Sequence, residues 1–193
     1  MKYLVPLTII AFGSCALWLN LGCHKESDCP PDLPCATQTG ANTFGCYING
    51  KPWVAEIAPY VLDPGAHKIE ASYDEAGYGI NYGRFLSVSG RRTNDSTDGF
   101  IAINLKPITG TGAASHVNAL TFIISAVITK TEHGQFVSAI GFELDTLFDY
   151  NIEITRLDAE RNIVSGMFSF TGTSPADTVR VTDGRFDVTY DPY

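Results

Sequence analysis

The sequence predicts an all-β protein: a single antiparallel β-sandwich or closed barrel of about ten strands. Three observations carry this. Beyond residue 43, apolar and polar residues alternate with a period of two, the pattern of half-buried strands. Turn dipeptides containing Gly or Asn separate these runs at regular intervals. No stretch there keeps a helical period for more than about two turns. The nearest to a helix is AASHVNAL at 113–120. Short strands in close succession pair mostly with chain neighbours, as a meander.

The chain opens differently. Residues 1–22 carry one charge, Lys2, followed by the apolar stretch YLVPLTIIAF. This is the layout of an export signal. Pro6, Gly13 and Asn20 interrupt the apolar run and no basic cluster follows, which argues for a cleaved signal over a spanning helix. The run ends in LGCHKESD. Gly22-Cys23 resembles a bacterial lipobox, in which the cysteine is acylated and the leader cut before it. Asn20 departs from the usual Leu. Cys15 is the rival acceptor, but ALWLNLG follows it, an apolar tether, whereas polar HKESD follows Cys23. An ordinary secretory signal with a free Cys23 is the plainer alternative. Each buried methylene of an acyl chain contributes about 0.8 kcal/mol, so several chains hold a domain to a membrane.

Residues 23–42 are rich in Pro, Asp, Ser, Thr and Gly and read as a flexible tether. The all-β domain then spans 43–193. Export permits disulfides. Cys29 and Cys35 bracket PPDLP, where a small loop could close, and Cys46 reads as a buried thiol. With Cys15 as the anchor, four cysteines and three pairings would remain. Without residues 1–22 the chain loses Lys2 alone, and its net charge goes from −8 to −9. Such a surface argues against nucleic acid and anionic headgroups as partners.

The strands follow in order. CYI and PWV flank Asn49-Gly50, a strong hairpin marker, and Trp53 reads as a core anchor. FLSVSG sets Leu86, Val88 and Gly90 against Phe85, Ser87 and Ser89. FIAINL aligns Ile101, Ile103 and Leu105. LTFIISAVIT is apolar on both faces, as a covered strand would be. QFVSAIGFEL aligns Phe136, Ile140, Phe142 and Leu144, and IVSGMFSF aligns Val164, Gly166, Phe168 and Phe170. In VRVTDGRFDVTY the parity breaks between Val181 and Phe186, so Asp183-Gly184 is a tight turn or a bulge. Asp98-Gly99, His133-Gly134 and DAERN at 158–162 are further turn signals.

ATQTGANTFGCYINGKPW (36–53) and IVSGMFSFTG with VRVTDGRFDVTY (163–190) resemble a family of small Bacteroidota lipoproteins. The resemblance implies an exported lipoprotein and carries over no activity, ligand or catalytic residue. The acidic residues after Cys23 resemble the signal that sends such lipoproteins to the cell surface, although His24-Lys25 come first.

Motifs for chemistry are sparse. GxSxG, HExxH and a Gly-rich phosphate loop are absent from the sequence, and the four histidines are scattered. Glu132-His133 and the acid pairs Glu143/Asp145 and Asp149/Glu153 read as ordinary surface before they read as catalytic. No catalytic residue, resident metal or cofactor is expected. Asn94, Ser96 and Asp98 occupy positions 1, 3 and 5 of a calcium-loop template, but its closing Glu is replaced by Leu105. Asp95-Ser96-Thr97, Asp145-Thr146-Leu147 and Asp177-Thr178-Val179 resemble a Bacteroidota O-glycosylation motif, with Ser96 the most loop-like acceptor. SYDEAGYGINYGRF offers Tyr73, Tyr78 and Tyr82 with Asn81 and Arg84 as a sugar-stacking loop, or as rings closing the core.

The functional expectation is a non-enzymatic outer-membrane lipoprotein, surface-exposed or periplasmic. It would be held by its lipid and present a binding or assembly surface to an envelope protein or glycan. A small-ligand-binding barrel is the second reading and a glycan-acting hydrolase the third.

Overall fold

The computed structural model describes residues 29–57, 67–74, 84–93, 98–106, 108, 110–113, 121–132, 135–145 and 147–192. These are all-β: thirteen strands and no helix among the described residues. They are β1 (Thr43–Ile48), β2 (Lys51–Val54), β3 (Glu56–Ile57), β4 (Ile69–Asp74), β5 (Phe85–Thr93), β6 (Asp98–Lys106) and β7 (Gly112–Ala113). There follow β8 (Thr121–Glu132), β9 (Gln135–Leu144), β10 (Asn151–Asp158), β11 (Ile163–Thr173), β12 (Thr178–Thr189) and β13 (Asp191–Pro192). Of AASHVNAL, Ala113 lies in β7 and the rest is outside the described residues.

Pairing runs in the order β13-β4-β5-β6-β8-β9-β11-β12-β1-β2. From β4 to β9 it is a meander, with β7 set aside against β10. Several pairings are non-local, among them the parallel pairing of β3 with β5 and the antiparallel pairing of β9 with β11, and two of them matter most here. β1 pairs antiparallel with β12, joining the two ends of the domain. β13 continues β12 past Tyr190 and pairs in parallel with β4, so the one stretch β12–β13 meets β1 near one end of the path and β4 at the other.

Local chemistry fixes the turns. Asn49 and Gly50 both have positive φ, 50° and 76°, as a two-residue hairpin of this hand requires. At the end of β10, the Asp158 carboxylate accepts from the Glu160 and Arg161 N–H groups and pairs with Arg156. In β12 the parity break is a bulge. Phe168 and Phe170 face Gly184 and Val181, and Gly45 and Tyr47 face Arg185 and Thr182. One extra residue therefore sits in β12 against both neighbours, with Asp183 at φ 50°. The bulge lets Val179 and Val181, then Phe186, Val188 and Tyr190, all face the core.

The core is filled by the residues that the alternation aligns: Leu86 and Val88, Ile101, Ile103 and Leu105, Phe168 and Phe170. At its centre the Phe44 ring lies 5.2 Å from Phe168, 6.3 Å from Phe186 and edge-on to Trp53 at 6.1 Å. Burying each such ring stabilises the fold by about 1.5–3 kcal/mol. Phe44 also meets Gly90 of β5, where a Cβ would come within 2.6 Å of the ring. Cys46 is a buried free thiol, and burial pushes its pKa up to about 12.

The reading of 23–42 as a flexible tether is corrected over its described part. Cys29 and Cys35 are disulfide-bonded, Leu33 is buried, and the Pro34 ring lies against Gly45. The Gln38 carbonyl accepts from Arg156, and Asn42 Oδ1 accepts from the N–H and hydroxyl of Thr189. At the centre stands Asp187, on the face of β12 away from the core and only 1% exposed. It accepts from the hydroxyls of Thr37, Thr39 and Ser165 and the N–H groups of Thr39, Gly40 and Ala41. Apolar burial alone would not order so polar a segment. A carboxylate that collects backbone N–H groups does, because each charge-assisted bond is about twice as strong as a neutral one.

Candidate functional site

The meander places short polar side chains in a patch on the face of β4 and β5 away from the core. Leu86 and Val88 point inward, so Ser87 and Ser89 point out. Opposite them in register stand Ser72 and Glu70. Ser72 in turn faces Asp191 of β13. The Ser87 hydroxyl donates to Asn104 Oδ1 of β6 at 2.8 Å.

This patch floors a groove of about 690 Å³. Its far wall is Asn42, Thr189 and Asp191, with His67 at one end. It exists because β12 forks. β1 pairs with β12 as far as Asp187, and β4 takes up the same line of chain only at Asp191. Thr189 falls between, its N–H held by the Asn42 side chain. Among the described residues the lining holds two carboxylates, hydroxyls, an amide and an imidazole, and no Lys, Arg, Phe, Tyr or Trp.

Of the candidates from sequence, those among the described residues fall elsewhere. Tyr73 is 5% exposed and packs edge-on against Tyr190 at 5.5 Å, so it serves the core and is not displayed for stacking. Arg84 is exposed just before β5, its carbonyl accepting from the Ile108 N–H. Tyr78, Asn81 and Tyr82 lie outside the described residues, as do Cys23, Asn94 and Ser96. The calcium template is corrected in its second half. Asp98 opens β6, and 98–105 is strand paired with β8 throughout and with β5 from Gly99, which cannot wrap around an ion. Among the described residues no group of three His, Cys, Asp or Glu is placed to hold a metal. Asp145 accepts from the Leu147 N–H, Glu143 and Glu153 stand exposed on strands, and Asp149 is exposed in the loop between them.

Sequence reasoning missed the groove and Asp187. FLSVSG held part of the signal, since Ser87 and Ser89 mark an outer polar face. Nothing local tells that Asn42 and Thr189 meet that face. No family model, curated protein or solved structure matches this chain.

Proposed function

We propose that this protein is a cell-envelope lipoprotein, held in the outer membrane through acylated Cys23, and a non-enzymatic binding module whose recognition surface is the groove between β4 and the end of β12. The observation that carries this reading is the groove itself, about 690 Å³ of polar lining built from four separate stretches of chain. Convergent hydrogen-bonding groups in a concavity fix the orientation of a ligand and its specificity. The return of β13 onto β4 supports a barrel-like closure at that end. The interior, however, is filled by Phe44, Phe168, Phe170 and Phe186, which favours a ligand on the surface over one inside a barrel. Glu70 and Asp191 stand exposed, whereas a catalytic acid works desolvated. That favours binding over hydrolysis.

The test is photo-cross-linking in the native envelope. A photoreactive residue replacing Ser89, in the groove, should give a discrete adduct, and one replacing exposed Thr178 should not. Adducts at neither position, or equally at both, would overturn the assignment of the groove.

A further inference from the structure

We propose that the groove takes an extended peptide segment bearing a basic side chain, which lies along the open edge of β4. The inference rests on the binding reading above and names its ligand class.

The edge comes first. Ile69, Glu70, Ala71 and Ser72 all line the groove, although alternate residues of a strand point to opposite faces. A groove that touches four consecutive residues touches the strand's edge. The Arg91 N–H donates to the Lys68 carbonyl at 2.8 Å. Alternation along the ladder then turns the backbone groups of Glu70 toward β5 and those of Ile69 and Ala71 toward the groove. β13 pairs at Ser72 and Tyr73, a parallel ladder that joins Asp191 to the Ala71 carbonyl and the Tyr73 N–H, so among the described residues no strand pairs with the edge at Ile69 or with the Ala71 N–H. An unpaired edge is a template for an added strand, and extended peptides are recognised this way by main-chain hydrogen bonds.

The charge comes second. Register sets Glu70, Ser72 and Asp191 on one face, with Asp191 beside Ser72 and Glu70 two residues away. Among the described residues the lining holds no Lys or Arg to balance the negative charge of Glu70 and Asp191, the nearest on the same face being exposed Lys68 and Arg91 one step beyond Glu70 and Ser89. A lysine or arginine side chain of the incoming peptide supplies the counter-charge. A neutral saccharide would leave that charge unmatched. Among the described lining residues it would also find no aromatic ring to stack on, Ile69 and Ala71 being the apolar ones.

The test titrates the full chain in detergent with three synthetic nonapeptides: alternating Thr and Lys, alternating Thr and Glu, and the Lys peptide N-methylated at every second residue. Affinity is read by fluorescence anisotropy, and the edge by hydrogen exchange at the Ile69 and Ala71 amides. The Lys peptide should bind saturably, slow exchange at both amides and weaken as salt rises. The Glu peptide, the N-methylated peptide and the Glu70→Gln/Asp191→Asn variant should each lose about tenfold or more in affinity. Equal binding of the Lys and Glu peptides, or binding without amide protection, would overturn the inference. So would protection of these amides by maltohexaose but not by the Lys peptide. If the peptides fail while a Ser89 photo-adduct still forms in the envelope, the ligand class falls and the binding module stands. If both fail, both readings fall.

Discussion

The Thr37 hydroxyl donates to the Asp187 carboxylate at 2.6 Å, joining residues 150 positions apart. Through this contact and its neighbours the chain before β1 becomes part of the domain. Both oxygens of Asp187 are used, and most of the donors lie between Thr37 and Ala41. Asp187→Ala should therefore destabilise the protein by about 2–4 kcal/mol in urea unfolding, the range for losing several charge-assisted bonds at a buried group. Asp183→Asn, on the same strand but exposed, should stay within about 0.5 kcal/mol. A chain that starts at Thr43 should lose about as much as Asp187→Ala, and the two changes combined should lose little more. Additive losses would mean that residues 29–42, a strap laid over β12, and Asp187 stabilise the fold independently.

The same carboxylate gives stability a pH dependence. Burial alone raises its pKa. The hydrogen bonds from Thr37, Thr39, Ser165 and Gly40 outweigh that and hold it well below its ordinary 3.8. A carboxyl group lowered on folding stabilises when ionised, so its contribution is whole above the ordinary value and is lost as pH falls through and below it. The unfolding free energy should be nearly flat from about pH 8 to about pH 5 and decline below about pH 4. Asp187→Asn should flatten that acid limb. A residual slope should remain from Asp158, which the Arg156 hydrogen bond, the Arg161 N–H and both guanidinium charges also hold low. An unchanged limb in Asp187→Asn would show that another group sets it.

The contrast between strands and strap shows what a sequence displays. Leu86 and Val88, or Ile101 and Ile103, state their burial in their own side chains, because a strand's period is local. The parity break was legible for the same reason, since Val179 and Val181 fall out of step with Phe186 and Val188, but a tight turn explained it as well as the bulge that the register shows. The strap was not legible. Its Thr, Gly and Asn residues read as solvated chain, since what orders them is a carboxylate almost the whole length of the domain away. Asp187 itself alternates with Phe186 and Val188 and so reads as exposed. It is buried by the strap, not by the sheet. The groove was hidden likewise, as it depends on where Asn42 and Thr189 meet β4.

Gly90 reports on how the two ends of the pairing path pack together. It lies in β5, and the ring its Cβ would strike belongs to Phe44 in β1. Gly90→Ala should cost about 1–3 kcal/mol through overpacking, measured by thermal or urea unfolding. Gly141→Ala, where nothing lies within 4 Å, should cost less. Equal effects would place Phe44 elsewhere.

Tyr73 separates a core role from a displayed one. Its ring sits at 5% exposure against Tyr190. Tyr73→Ala should lose about 3–5 kcal/mol, as large-to-small changes at buried aromatics do. Calorimetry of this variant beside Arg84→Ala, at an exposed position, should show the loss only at Tyr73. A stable Tyr73→Ala protein would return the ring to the surface.

On the proposed acylation of Cys23, docking of the strap would also set how far the domain can stand from a membrane. With Cys23 acylated, only residues 24–28 separate the anchor from Cys29, where the described strap begins. At full extension of about 3.3–3.6 Å per residue, that stretch and the bond to Cys29 span on the order of 20 Å. Freed as far as Asn42, with the Cys29–Cys35 disulfide intact and its Cα atoms 4.7 Å apart, the same chain would span on the order of 50 Å. A released strap should thus raise the mean height of the domain without altering its anchor. The full lipidated chain in vesicles, with a dye at exposed Thr178 and an acceptor in the bilayer, should transfer less energy in Asp187→Ala than in the native protein. Circular dichroism must show the variant still folded at the working temperature, and Thr37→Val with Thr39→Val gives a milder release if it is not. Cys23→Ser should abolish fatty-acid labelling and leave no vesicle-bound signal. Labelling that survives in Cys23→Ser but is lost in Cys15→Ser would move the anchor to Cys15. Unchanged transfer in the folded strap variants would show that the docked strap does not limit the domain's reach.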